Sequence, residues 1–203
     1  MLTIWGRLNS HNVKKVAWFA VELGLGFERH DVGGQFGMDA AYLAKNPNAL
    51  IPTIEDDGVI LWESNAILRY LAAKHGGERF WPADPATRAY SDRWMDWQID
   101  YAEGQRDAFV NLVRKEPGQR NPAAIAASAK RCAKRMTILD AALAQSPWLS
   151  GGEFGIGDIP IGVYAYTWFS LDIERPALPH VEDWYSRIRA RPGYMEQVMI
   201  PLT

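Results

Sequence analysis

The sequence predicts an α/β domain followed by an all-helical domain, and three observations carry that prediction. Short apolar runs with strand character are confined to residues 1–81 and alternate with helical patterns. The segment Trp81-Pro82-Ala83-Asp84-Pro85 reads as a proline-bearing connector. Beyond it only helical periodicity is found. The expected organisation is therefore a first domain over 1–81, a linker over 82–86 and a helical domain over 87–203.

Residues 2–5 read as a strand. Ser10 then opens a helix whose Val13, Val16, Ala17, Ala20 and Leu23 recur at helical spacing, with Gly24 placed to end it. Residues 27–31 read as a second strand, the glycines of Gly33-Gly34-Gln35-Phe36-Gly37 as a loop, and 39–45 as a short helix. Two apolar runs, 51–54 and 59–62, flank Asp57-Gly58, a hairpin signal. Glu63-Ser64 starts another helix that Gly76-Gly77 stops. The order is β-α-β-α-β-β-α, with a parallel first pair of strands and an antiparallel last pair. Helical patterns then occupy 86–115, 122–145, 157–170 and 180–191.

Composition narrows the function. The chain carries 22 basic and 24 acidic residues for a net charge of −2, so no basic excess exists to track a phosphate backbone and nucleic acid is not an expected partner. No apolar run is long enough to span a membrane, and the N-terminus lacks the basic start of a signal peptide, which makes the cytoplasm the expected compartment. His11, His30, His75 and His180 are scattered without ligand spacing, so no metal site is expected. Cys132 is the single cysteine, which leaves no Cys-x-x-Cys pair. Its neighbours Lys130, Arg131, Lys134 and Arg135 favour a lowered thiol pKa, although a bystander thiol on a helix is the plainer interpretation.

Three segments would meet at one end of the sheet, where open α/β sheets bind ligands. Asn9-Ser10-His11-Asn12 places a hydroxyl and an amide at a helix N-terminus, where an anion is favoured; the alternative is a plain cap. In Asn46-Pro47-Asn48-Ala49-Leu50-Ile51-Pro52-Thr53, Pro52 is a candidate cis residue that leaves the strand end open, so the Ile51 backbone can pair with an extended peptide; the alternative is a strand-capping turn. Glu63-Ser64-Asn65 repeats the helix-start chemistry and suits an ammonium beside a carboxylate, with capping again the alternative. Together they supply a thiolate donor, a backbone edge and an amino-acid clamp.

At these residues the chain resembles the cytosolic glutathione transferases, bacterial theta-like members in particular. Ser10-His11-Asn12-Val13-Lys14-Lys15-Val16 is similar to the family's start of helix one, and Glu22-Leu23-Gly24-Leu25-Gly26-Phe27-Glu28 to its Glu-Leu-Gly-Leu-Pro-Tyr-Glu. The 46–53 segment resembles Asn-Pro-x-Gly-x-Val-Pro-Thr, and Trp62-Glu63-Ser64-Asn65-Ala66-Ile67 resembles Glu-Ser-x-Ala-Ile. The resemblance implies a thioredoxin-like first domain, glutathione as co-substrate, a small apolar electrophile as second substrate, and a homodimer. It implies that Ser10 activates the thiol, with Asn12 the next candidate. Ile51 before Pro52 would pair with the cysteinyl backbone, and Glu63 and Ser64 would hold the γ-glutamyl end.

Leu50 stands where many members carry Lys or Gln, so Gln35 or Lys45 is the candidate substitute there. Gly155 and Asp158 stand in the family's Ser/Thr-x-x-Asp capping box, without its hydroxyl. Trp94, Trp97, Tyr101, Tyr164 and Trp168 are candidates for the wall of an apolar substrate pocket, against the alternative of inter-helix packing. The expected activity is conjugation of the glutathione thiolate to apolar electrophiles. Glutathione-dependent disulfide or peroxide reduction and a non-catalytic binding module are the rivals. A glutathione-using isomerase is disfavoured because the Ser-Ser-Cys-Ser start of that class is absent.

Overall fold

The strand β1 (Leu2–Trp5) leads into helix α1 (His11–Glu22), which returns the chain to β2 (Phe27–His30), parallel to β1 with Trp5 opposite His30. A 3₁₀ turn (Gly34–Phe36) lies inside the glycine loop, and α2 (Ala40–Lys45) follows, capped by Asp39 accepting from the Tyr42 N–H at 2.8 Å. Next come β3 (Thr53–Asp56) and β4 (Val59–Trp62), joined by Asp57 and Gly58 at φ 50 and 83. Two positive φ values make a hairpin turn of the twist-compatible kind that Asp-Gly favours. The strand order is β2-β1-β3-β4, with β3 antiparallel to both neighbours. These are residues of a computed structural model that describes all of 1–203.

The third strand starts at Thr53, not at residue 51. The Ile51–Pro52 peptide is cis and proline has no N–H, so neither residue joins the ladder. Helix α3 (Ser64–His75) packs on α1, and a short α4 (Gly77–Phe80) follows it. Ile4, Ile54, Val16, Ala17, Ile67 and Leu68 are all fully buried in the core of this part.

Helix α5 (Pro85–Phe109) ends in a π-helical turn over Val110–Arg114. There the Asn111 amide donates to the Asp107 carbonyl at 2.8 Å and its oxygen accepts from the Asn121 N–H at 2.9 Å, tying the turn to the cap of α6 (Pro122–Leu143). Helices α7 (Asp158–Ser170) and α8 (Pro179–Arg189) come next. A further helix, α9 (Pro192–Gln197), was not signalled by the periodicity because it is barely two turns long. No helix is long and apolar enough to cross a membrane.

The chain divides into two compact units, Met1–Arg88 with Pro192–Ile200, and Ala89–Arg191 with Pro201–Thr203. The C-terminal segment 192–200 thus belongs with the first unit, whereas the sequence pattern assigns all of 87–203 to the helical part. The reason lies in contacts to α1. Tyr194 meets Trp18 edge-on at 4.8 Å, and Lys14 Nζ donates to the Val198 carbonyl at 3.0 Å.

In the helical unit Asp158 is fully buried and gathers four donors. Its Oδ1 accepts from the Leu149 N–H and Trp184 Nε1, both at 2.9 Å; its Oδ2 accepts from the N–H of Gly155 at 3.1 Å and of Ser150 at 3.4 Å. The hydroxyl missing from Gly155 is supplied by Ser150, whose Oγ accepts from the Gly157 N–H at 3.0 Å. A Cβ on Gly155 would fall 2.7 Å from that same Oγ.

Candidate active site

All three segments are assembled around α1. Ser10 is its N-cap residue with extended backbone (φ −76, ψ 127), yet its hydroxyl makes no capping bond. The first intrahelical bond runs from the Lys14 N–H to the Ser10 carbonyl at 2.9 Å, and the first turn holds no acidic residue. The positive end of the helix is therefore not neutralised from within that turn. Asn12 is half-buried in the same turn. Arg7 Nη1 donates to Asn9 Oδ1 at 2.7 Å, which steadies the approach to Ser10.

Ile51 reaches this helix start across Gly6. A Cβ on Gly6, which has φ 151, would lie 2.5 Å from Val13 Cγ2 and 3.2 Å from Ile51 Cβ. Only glycine lets the strand edge close on α1 there. The Ile51 backbone stands just beyond the end of the β1–β3 ladder. Its turn is fixed from behind. Asn46 Nδ2 donates to the Leu50 carbonyl at 2.9 Å and to Thr53 Oγ1 at 3.1 Å, and the Tyr42 hydroxyl donates to the same carbonyl.

The start of α3 is joined to α1 by a buried lysine. Lys15 Nζ donates to Ser64 Oγ at 3.4 Å and to Asn65 Oδ1 at 3.3 Å. Burial pulls the Lys15 ammonium pKa down to about 7, and the Glu63 charge acts against that shift. Glu63 itself is exposed, with φ 71. A non-glycine residue in that region costs about 1–3 kcal/mol, so the surrounding turn holds it there against its preference.

A family model described as the glutathione S-transferase N-terminal domain matches residues 6–79. Glutathione S-transferase GstB of Escherichia coli K12 is 45% identical over the full length of both chains. The chain belongs to the glutathione S-transferase family. A solved theta class member from Xanthomonas axonopodis pv. citri, with glutathione bound, is 49% identical. It superposes with a TM-score of 0.95 over 100% of this chain and 99% of that one. Disulfide-bond oxidoreductase YfcG of Escherichia coli K12 is 33% identical over 79% of this chain and 76% of its own.

In this glutathione S-transferase the structure brings Ser10, Asn12, Ile51, Pro52, Glu63 and Ser64 around α1. The Lys45 ammonium pairs with Glu55 at 2.9 Å and lies 4.6 Å from the centre of the Trp5 ring. Glu55 stands opposite Thr3, and Lys45 lines a cavity of about 320 Å³ together with Trp5, His30, Met38 and Tyr42. Gln35 is exposed on the 3₁₀ turn of the glycine loop.

The aromatic candidates of the transferase divide. Tyr101 and Trp168 are essentially unexposed, and the Tyr101 hydroxyl accepts from Gln105 Nε2 at 3.1 Å. Both are buried in the helical unit, which fits the inter-helix packing alternative. Trp94 and Trp97, edge-on at 5.3 Å, line a cavity of about 340 Å³ with Arg93, Ile138 and Ala142. Tyr164 is half-buried and meets Tyr101 edge-on. Cys132 fits the plainer interpretation of a bystander thiol on a helix, not the lowered pKa that its basic neighbours suggested. Burial pushes its thiol up to about 11, outweighing the Tyr101 hydrogen bond and the Arg131 charge.

Sequence reasoning missed Gly6, Lys15, Tyr42 and Asn46. The available signal was a charged pair, Lys14-Lys15, set between Val13 and Val16 in a helix with no polar face to spare.

Proposed function

We propose that this transferase binds glutathione along Ser10, Ile51 and Glu63-Ser64 and adds its thiolate to a small apolar electrophile. The single observation that carries the proposal is the Ser10 hydroxyl, which sits at an uncapped helix start with no capping bond of its own. A hydroxyl donor and the helix end both favour a sulfur anion over a thiol. Lowering the thiol pKa by about two units is worth about 2.7 kcal/mol. The anion then attacks an electrophilic carbon, a C–S bond forms, and the leaving group departs with its electron pair. The Ile51 backbone beyond the ladder end suits the cysteinyl unit, and the start of α3 suits the γ-glutamyl carboxylate.

Initial rates with 1-chloro-2,4-dinitrobenzene test this. Ser10→Ala is expected to lower kcat/KM by tenfold or more; an unchanged value removes Ser10 from the role. The YfcG relationship favours one second reading, reduction of a disulfide by two glutathione molecules, giving two thiols and glutathione disulfide. A parallel assay with a mixed disulfide separates the two. The edge strand β4 exposes Val59, Ile60 and Trp62, which supports a homodimer through this part. Sedimentation at micromolar concentration tests that assembly.

A further inference from the structure

Lys15 has no part in the chemistry described so far, yet it is buried where charge is expensive. It is 2% exposed, on α1, one turn in from the Ser10 end. Its ammonium points to the first two residues of α3, at 3.4 Å from Ser64 Oγ and 3.3 Å from Asn65 Oδ1. Ammonium groups only donate, so the Ser64 oxygen accepts from Lys15 and its own O–H proton must turn elsewhere. Ser64 is itself 7% exposed and is the first residue of α3, so its hydroxyl lies beside the positive helix end. The exposed Glu63 is a charge that acts on Lys15, and the ammonium of its sequence neighbour Lys14 is directed to the Val198 carbonyl.

We propose that Lys15 is a positioning residue for the α-carboxylate of the γ-glutamyl group: it orients the Ser64 hydroxyl outward as a donor and places a cation behind it. Resting on the placement of glutathione proposed above, it names which atom of the substrate is sensed from inside the protein. An ammonium desolvated to this degree is retained at a cost, and burial already draws its pKa down to about 7. An anion bound at Ser64 offsets that cost by restoring a counter-charge.

Calorimetry with S-methylglutathione tests it, beside the analogue in which the γ-glutamyl α-carboxylate is replaced by hydrogen. Wild type is expected to prefer the parent by thirtyfold or more. Lys15→Met is expected to lose at least tenfold in affinity for the parent and less than twofold for the analogue. Lys15→Arg, which keeps the cation, is expected to recover part of the preference. Lys15→Gln repeats the measurement should the methionine variant not fold. A purely structural lysine would weaken both ligands alike. Equal losses, or an undiminished preference in a folded neutral variant, overturn the role of Lys15. Failure of wild type to bind S-methylglutathione at all would instead overturn the proposed function.

Discussion

Replacing Asp158 by alanine should remove a large share of the stability of the helical unit. The carboxylate is fully buried and serves three backbone N–H groups and one indole, two donors on each oxygen. A buried donor stripped of its acceptor costs about 1–3 kcal/mol. The Ser150 bond is long, at 3.4 Å, and Ser150 is half-buried, so water replaces it cheaply. The remaining three donors give about 3–9 kcal/mol. Part of this is recovered because burial pushes the pKa of Asp158 up against its four hydrogen bonds, a sign that the charge is held at a cost. A net loss of about 4 kcal/mol is expected, against total stabilities of about 5–15 kcal/mol for folded domains. Asp158→Asn should cost about half as much. An amide oxygen in place of Oδ1 keeps Leu149 and Trp184, while the NH₂ in place of Oδ2 faces two donors. Urea unfolding, read from Trp fluorescence and far-UV dichroism, gives both numbers. A loss below about 1 kcal/mol for the alanine variant, or an asparagine variant equal to wild type, would refute this account of the network.

Further outcomes are expected elsewhere in the chain. Burial lowers the folded pKa of Lys14 to about 8 and of Lys15 to about 7, from 10.5. Between the folded and unfolded values the unfolded chain binds more protons, so stability should rise with pH, by about 4 kcal/mol at most between pH 7 and 9. Urea midpoints that stay flat or fall over that range argue against buried ammoniums. Gly6→Ala pushes a methyl into Val13 and Ile51 at φ 151, and should raise the KM for glutathione several-fold with a stability loss of about 1–3 kcal/mol. A KM within error of wild type would show that the strand edge is not set there. Cys132, buried with its thiol pKa near 11, should resist 5,5′-dithiobis(2-nitrobenzoate) for hours at pH 7.5 and react within minutes in urea. Labelling of the native protein at the rate of a free thiol would contradict its burial.

Element order was legible because the signals were local. Alternation, glycine stops and the Asp57-Gly58 hairpin each specify structure within a few residues. Strand ends were read less well where a backbone detail intervened, as at Pro52, which holds residues 51 and 52 out of the ladder. The resemblance marked Ser10, Ile51 and Ser64 because those positions sit in contiguous motifs. What it did not mark are the residues that support the site from positions distant in sequence. Lys15 meets Ser64 across 49 positions, and Lys14 meets Val198 across 184. Lys45 shows the same limit. Nothing local tells that its ammonium turns to Glu55 on the neighbouring strand. Tyr101 and Trp168 look like pocket aromatics by type, but burial depends on which helices surround them.

Ser150 and Gly155 carry an implication for how this sequence can change. The helix-start hydroxyl of α7 comes from Ser150, and that oxygen occupies the space a side chain on Gly155 would need. A side chain at 155 and the serine at 150 therefore compete for one space. Putting serine at 155 alone crowds two hydroxyls into one place, and removing the one at 150 alone leaves the Gly157 amide without its acceptor. Both single steps lead downhill, while the double exchange restores one hydroxyl in one space. A library that introduces serine at 155 without changing 150 would discard good sequences for a local collision.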